Sequence, residues 1–215
     1  MRLKRKPWSE KVLSEAGERL ITSETIEGEV FSSFLNRDNL CLEIGCGKGD
    51  FAVKMALKFP ELNFIAVEIQ SVALAYALKK TQEGEIGNLL FVNIDAHDLV
   101  SHLKERSVQT LFLNFSDPWP KKRQHKRRLT YPSLLNAYDG ILAEGGKLIF
   151  KTDNEALFAD TLEYLKDSPF VAETIDYDYR GEDPFDAESE YERKFRNAGI
   201  RIRRLVAAKR KEEQR

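Results

Sequence analysis

The 215-residue chain reads as an α/β protein: a doubly wound, mostly parallel sheet with helices on both faces and one antiparallel edge strand. Short apolar runs alternate with segments of helical spacing, and such alternation demands parallel crossovers. The runs are apolar throughout, as strands covered on both faces should be. The last two runs have no helical segment between them, which suits an antiparallel return at the edge.

The elements follow in order. After a basic start, Ser9 to Leu20 has helical spacing, with Val12, Leu13, Ala16 and Leu20 on one side. Leu40 to Ile44 is a first strand that runs into Gly45-Cys46-Gly47-Lys48-Gly49, and Phe51 to Phe59 is a helix stopped by Pro60. Asn63 to Val67 is the second strand, closed by Glu68, and Ser71 to Lys80 its helix. Leu89 to Ile94 is the third, closed by Asp95, and Thr110 to Phe115 the fourth, closed by Asp117. Tyr131 to Leu142 is a helix, and Gly145-Gly146 turns the chain into a fifth strand, Lys147 to Lys151. Asn154 to Lys166 is a further helix, Val171 to Tyr177 a sixth strand, and Ile202 to Lys209 a seventh on a hairpin return.

One domain accounts for this length. Residues 1–25 read as a basic extension plus helix, and residues 26–215 as the core, without repeats or a Pro/Ser-rich linker. No apolar run reaches the roughly 18 residues needed to cross a bilayer. The basic start has no apolar segment behind it to make a signal peptide, so a cytoplasmic protein is expected. Cys41 and Cys46 lack CxxC spacing and a His cluster nearby, so free thiols are expected and no metal site.

Net charge is −1, but the charges are unevenly distributed along the chain. Arg2 to Lys6, Lys121 to Arg128 and Arg193 to Lys211 hold 19 of the 34 cations and none of the 35 acids, which leaves 15 cations against all 35 acids elsewhere. If the three segments meet on one face, they make a polyanion-binding surface; otherwise they are solvated loops and tails.

In sheets of this kind ligands bind beyond the carboxyl ends of the strands. Four such ends carry acids: Glu43, Glu68, Asp95 and Asp117. The glycines at 45, 47 and 49 loosely fit a dinucleotide fingerprint. That ligand, however, needs a third glycine where Asp50 sits, and Glu43 and Asp50 would repel its pyrophosphate. A cationic ligand reverses the argument. S-adenosylmethionine carries a sulfonium and an ammonium, so acids beside a loop whose Gly45 and Gly47 admit close approach attract it. Glu68 is then placed for both ribose hydroxyls and Asp95 for the adenine amino group. Asp117-Pro118-Trp119 ends the fourth strand, where the transferring methyl is expected. Trp119 is either a stacking platform, worth about 1–3 kcal/mol per base, or a rim residue.

These segments resemble the bacterial tRNA (guanine-N7-)-methyltransferase family. The likeness rests on Glu43 to Gly49, Asn114 to Lys121, Lys126-Arg127-Arg128-Leu129, Lys151-Thr152-Asp153 and Ser189 to Phe195. It extends over nearly the whole chain, and the Asp-Pro-Trp segment with its basic run is the specific part. The resemblance implies a seven-stranded Rossmann-like methyltransferase sheet. It implies that Glu43, Glu68, Asp95 and Asp117 hold S-adenosylmethionine, with Asp117 also catalytic. It further implies that Lys121, Asp153 and Ser189-Glu190-Tyr191-Glu192 contact the substrate. Arg123, Gln124, His125, Lys126, Arg127 and Arg128 would then contact RNA, with no separate role for His125. The substrate implied is tRNA, methylated at N7 of variable-loop guanine 46. Here Gln124 directly follows Arg123 where the family more often has His, and Ser189 stands for the usual Thr.

Guanine N7 exposes a lone pair and carries no proton, so no general base is needed, and positioning and charge should dominate. One rival is an exocyclic-amine methyltransferase of RNA or DNA, whose members use an Asp/Asn-Pro-Pro-aromatic stretch at this place. Another is an RNA-binding protein without catalysis, although all four cofactor acids are present. Monomer and homodimer both remain open.

Overall fold

The structure, a computed structural model, describes residues 6–81, 84 and 86–210. Its contacts divide the chain into two compact units, Met1–Leu103 and Lys104–Arg215. Of the basic start only Lys6 is described; Arg2, Lys4 and Arg5 lie outside the described residues, as does Lys211.

The first unit runs α1 (Pro7–Ser14), β1 (Leu20–Thr22), α2 (Glu29–Leu35), β2 (Leu40–Ile44), α3 (Asp50–Lys58), β3 (Asn63–Val67), α4 (Ser71–Lys80), β4 (Leu89–Asn93) and α5 (Ala96–Val100). Its strands are all parallel, in the order β1-β4-β3-β2. Every residue of β2 is buried, Glu43 included, as expected of a strand enclosed on both faces. The register pairs Ile44 with Val67 and Val67 with Val92, so the three chains leave the sheet side by side.

The helix expected over Ser9 to Leu20 ends at Ser14. Gly17, in the left-handed region at φ 57°, breaks it, and Leu20 enters the short strand β1 instead. Three residues are too few for a periodic signal, and β1 is the strand absent from the sequence-based set of seven. Helix α1 rests on α4 through Trp8, whose ring meets Tyr76 edge-on at 4.7 Å.

The second unit runs β5 (Val108–Asn114), a 3-10 turn (Lys122–Arg127), α6 (Pro132–Ile141), β6 (Leu142–Thr152), α7 (Glu155–Lys166), β7 (Phe170–Asp176), α8 (Glu190–Asn197) and β8 (Arg203–Lys209). Its strand order is β5-β6-β8-β7, with β5 and β6 parallel. The antiparallel strand is β8, which pairs with β6 on one side and β7 on the other. The connection from β7 to β8 is not a bare hairpin, because it carries α8. Glu-Tyr-Glu-Arg-Lys-Phe-Arg-Asn carries a single apolar pair four apart, Tyr191 and Phe195, too short a pattern among so many charges to reveal the helix by periodicity. Strand β6 starts at Leu142, earlier than expected, and absorbs Gly145, left-handed at φ 71°, and Gly146. A Cβ on Gly146 would lie 2.8 Å from the Ala143 carbonyl oxygen.

Candidate functional site

In the first unit, Glu43, Gly45, Gly47, Glu68 and Asp95 gather where β2, β3 and β4 end. Gly45 and Gly47 take left-handed φ values of 81° and 56°, turning the loop back over the sheet. The amides of Gly45 and Cys46 both donate to the Val67 carbonyl, at 2.8 and 2.9 Å. Glu68 grips the loop from the next strand: Oε2 accepts from the Gly47 amide at 3.0 Å and Oε1 from the Gln70 amide at 2.8 Å. Asn93 fixes the turn beneath it by donating to the Glu68 carbonyl at 2.7 Å.

Glu43 is 3% exposed. Its field is felt at the neighbouring thiol: burial pushes Cys46 well above its ordinary pKa, and the carboxylates of Glu43 and Glu68 raise it further. The loop therefore sits in negative potential, which suits a ligand carrying positive charge. Asp95 caps α5, accepting from the His97 amide at 2.9 Å through Oδ1, and is half-exposed. Gly49 closes the loop against α4; a Cβ there would stand 2.6 Å from the Ala77 Cβ.

In the second unit, β5 and β6 deliver two segments to the same edge, with Asn114 opposite Lys151. The Phe115 amide extends the ladder by donating to the Lys151 carbonyl at 2.8 Å. Phe115 and Trp119 are both left-handed, at φ 51° and 41°, and bracket Ser116-Asp117-Pro118. Such conformations cost on the order of 1–3 kcal/mol each and persist only where the surroundings impose them. The loop projects Asp117 into solvent. Asp153 is half-buried at the end of β6, its carbonyl accepting from Arg203 Nη1 at 3.2 Å.

Arg128 imposes the loop. It is 3% exposed. Its Nε donates to the Pro118 carbonyl at 2.8 Å, Nη1 to Asp160 at 2.6 Å and to the Tyr164 hydroxyl at 3.2 Å, and Nη2 lies 3.5 Å from the Trp119 carbonyl. His125 joins this cluster, with Nε2 3.0 Å from Arg128 Nη2. A guanidinium can only donate, so Nε2 is the acceptor and the ring hydrogen sits on Nδ1, facing the Tyr164 hydroxyl at 3.4 Å. Arg128, expected to contact RNA, has donors that face inward and hold the loop. The Arg128 amide also donates to the His125 carbonyl at 2.9 Å, closing the 3-10 turn with the two side chains together. Lys121, Lys122, Arg123, Lys126 and Arg127 are exposed, and Gln124 is half-buried.

The Ser189 to Glu192 stretch has two sides. Ser189 caps α8, accepting from the Glu192 amide at 3.0 Å. Glu192, 1% exposed, accepts from Lys151 Nζ at 2.7 Å and from Arg196 Nη2 at 2.5 Å. Lys151 is fully buried and also holds both oxygens of Asp186, at 2.8 and 2.9 Å. The Tyr179 hydroxyl donates to Asp186 at 2.8 Å; burial and that carboxylate push its pKa above the ordinary tyrosine value. Sequence reasoning did not single out Lys151, Asp186, Tyr179 or Arg128 individually as buried anchors. Glu190 and Tyr191 face outward.

Five cations of the third basic segment are paired with acids. Arg193 pairs with Glu188, Arg196 with Glu192, Arg203 with Glu155, Arg204 with Asp183 and Lys209 with Asp139. Charges separated along the chain are interleaved in space.

A family model described as "Putative methyltransferase" matches residues 37–205. The tRNA (guanine-N(7)-)-methyltransferase of Pediococcus pentosaceus is 38% identical over 210 residues, covering 96% of this chain and 99% of that protein. The enzyme of the same name from Halalkalibacterium halodurans is 37% identical over 216 residues, covering 100% and 98%. Among solved structures, the 16S rRNA methyltransferase KamB superposes with a TM-score of 0.64 at 13% identity, over 86% of this chain and 94% of that one. A 16S rRNA (adenine(1408)-N(1))-methyltransferase solved with its cosubstrate S-adenosylmethionine gives 0.61 at 13% identity, over 86% and 92%. At such identities the likeness is one of fold, and it agrees with the doubly wound, mostly parallel architecture read from the sequence.

Proposed function

We propose, from the fact that this chain belongs to the tRNA (guanine-N(7)-)-methyltransferase family, that it methylates N7 of variable-loop guanine 46 in tRNA with S-adenosylmethionine as donor. The supporting observation is the loop at the end of β5: a solvent-facing Asp117 held between two left-handed residues and followed by five exposed cations.

The residues of the first unit fit the donor. Glu68 would take the ribose hydroxyls, Asp95 would use its exposed carboxylate for the adenine amino group, and Gly45 and Gly47 would admit the methionine portion. Glu43 and Glu68 supply the negative field that a sulfonium and an ammonium favour. When bound, S-adenosylmethionine supplies an electrophilic methyl group.

The second unit's residues handle the nucleophile. N7 needs no deprotonation, so Asp117 acts by position and charge: its carboxylate would help hold the donor's amino acid part and stabilise the positive charge that the purine gains. Asp153, Lys121 and the Ser189–Glu192 segment would hold the substrate. Arg123, Lys126 and Arg127 would neutralise phosphates, with Gln124 at the margin of that surface. Arg128 and His125 would serve RNA binding indirectly, by fixing the loop.

Among the described residues no helix is long and apolar enough to cross a membrane. A cytoplasmic site of action follows from the tRNA substrate. The test is direct. Incubation of unmodified tRNA with methyl-labelled donor should yield labelled 7-methylguanosine, and a transcript with adenosine at position 46 should stay unlabelled. A label on an exocyclic amine would reject the reading.

A further inference from the structure

Phe115, Tyr191 and Phe195 form an aromatic trio beside the Asp117 loop. Tyr191 lies 6.5 Å from Phe115 and 6.3 Å from Phe195, centroid to centroid, with ring planes only 27° and 25° apart. Phe115 and Phe195 are 5.6 Å apart. Both phenylalanines are half-buried, whereas Tyr191 is 53% exposed. What sets Tyr191 apart from other exposed apolar residues such as Tyr177 is its near-parallel packing on two partly covered rings next to the segment that carries Asp117.

The backbone that carries the ring is anchored on both sides. Tyr191 follows the Ser189 cap by two residues and precedes Glu192, the fully engaged partner of Lys151 and Arg196. Phe115 precedes Asp117 by two residues, and its amide is tied to Lys151 as well. Lys151 thus anchors both elements that carry the trio. Trp119 is a poorer platform: its ring is half-buried and the Arg127 guanidinium lies over it, 5.0 Å from the centroid.

We infer that Tyr191 is the surface on which the target guanine stacks, with Phe115 and Phe195 as its backing. A guanine drawn out of folded RNA for reaction loses stacking, and an exposed ring backed by Phe115 replaces part of what is lost. The occupant is a purine base of the RNA, because Phe115, on which the ring lies, precedes by two residues the acid expected to stabilise a purine cation, and exposed cations follow between 121 and 127. This assignment rests on the proposed reaction and specifies how the substrate is held.

The test uses the full chain, unmodified tRNA and saturating S-adenosylmethionine. Tyr191→Phe and Tyr191→Trp should keep kcat/KM for tRNA near wild type. Tyr191→Leu and Tyr191→Ala should lower it by about 5- to 150-fold, the range that corresponds to losing one base–aromatic stack, with unchanged cofactor affinity and thermal midpoint. Full activity of the Leu variant would overturn the assignment. So would a Phe variant as poor as Ala, which would make the hydroxyl the active group, or losses that track a falling thermal midpoint, which would make the ring a packing residue. Failure of the wild-type enzyme to form 7-methylguanosine would instead reject the reaction itself.

Discussion

Arg128 donates from Nε to the carbonyl of Pro118 at 2.8 Å, and this bond separates the cations of one basic run into two kinds. Those on the outer side of the 3-10 turn meet solvent, whereas Arg128 carries the backbone of the loop that presents Asp117.

Arg128→Ala should therefore behave as a stability and activity variant. Loss of charge-assisted bonds to Pro118 and Asp160 should cost about 2 kcal/mol, lowering the thermal midpoint by about 4–8 °C for a chain of this size. Methyl transfer should fall because the loop relaxes, while cofactor affinity changes little. Calorimetry with a methylation assay checks this; an undisturbed midpoint would contradict the clamp.

Arg127→Ala and Lys126→Ala should leave the midpoint unchanged and alter salt dependence instead. Each should flatten the slope of log affinity for tRNA against log salt by about 0.7–0.9. Binding titrations between low and physiological salt measure it, and the Arg128 variant provides the contrast.

Glu68→Ala should weaken S-adenosylmethionine by about 10- to 150-fold, as expected for loss of a charged hydrogen-bonding partner, and leave tRNA affinity nearly intact. Isothermal titration with each ligand separates the two. Equal losses would mean that Glu68 acts through the fold of the loop alone.

Asp117→Asn should bind both ligands yet turn over more slowly, on the order of 10²-fold if a preorganised charge stabilises the transition state. The measurement is kcat at saturating donor and tRNA. Full turnover would remove the electrostatic role.

Cys46 should resist alkylation at neutral pH in the folded protein, because burial and two nearby carboxylates hold it as the thiol. Unfolding should expose it together with Cys41. Mass spectrometry after iodoacetamide treatment distinguishes the two states.

The strands that carry the acids were legible because each is a short apolar run closed by a polar break, a local signal. Glu43 near the end of its strand, and Glu68, Asp95 and Asp117 just beyond theirs, stand where that signal places them. The helix α8 was not legible, since its one apolar pair, Tyr191 and Phe195, is too short a pattern, and its hold comes from the Ser189 cap and a buried Lys151. The inward turn of Arg128 depends on Asp160 and Tyr164, 32 and 36 residues away, and composition cannot distinguish it from its neighbours. The pairing of Arg203, Arg204 and Lys209 with Glu155, Asp183 and Asp139 was hidden for a related reason: those acids come from elsewhere in the chain.

The place of β8 between β6 and β7 sets the order in which the second unit can assemble during synthesis. Strand β7 leaves the ribosome before its only ladder partner among the described strands has been made, and β6 waits with one side bare. Until Arg203–Lys209 emerges, the nascent chain shows two unsatisfied strand edges, the kind of surface that pairs with other chains. Release of the C-terminal strand, rather than completion of the Asp117 loop, would then be the step that commits the unit to its fold.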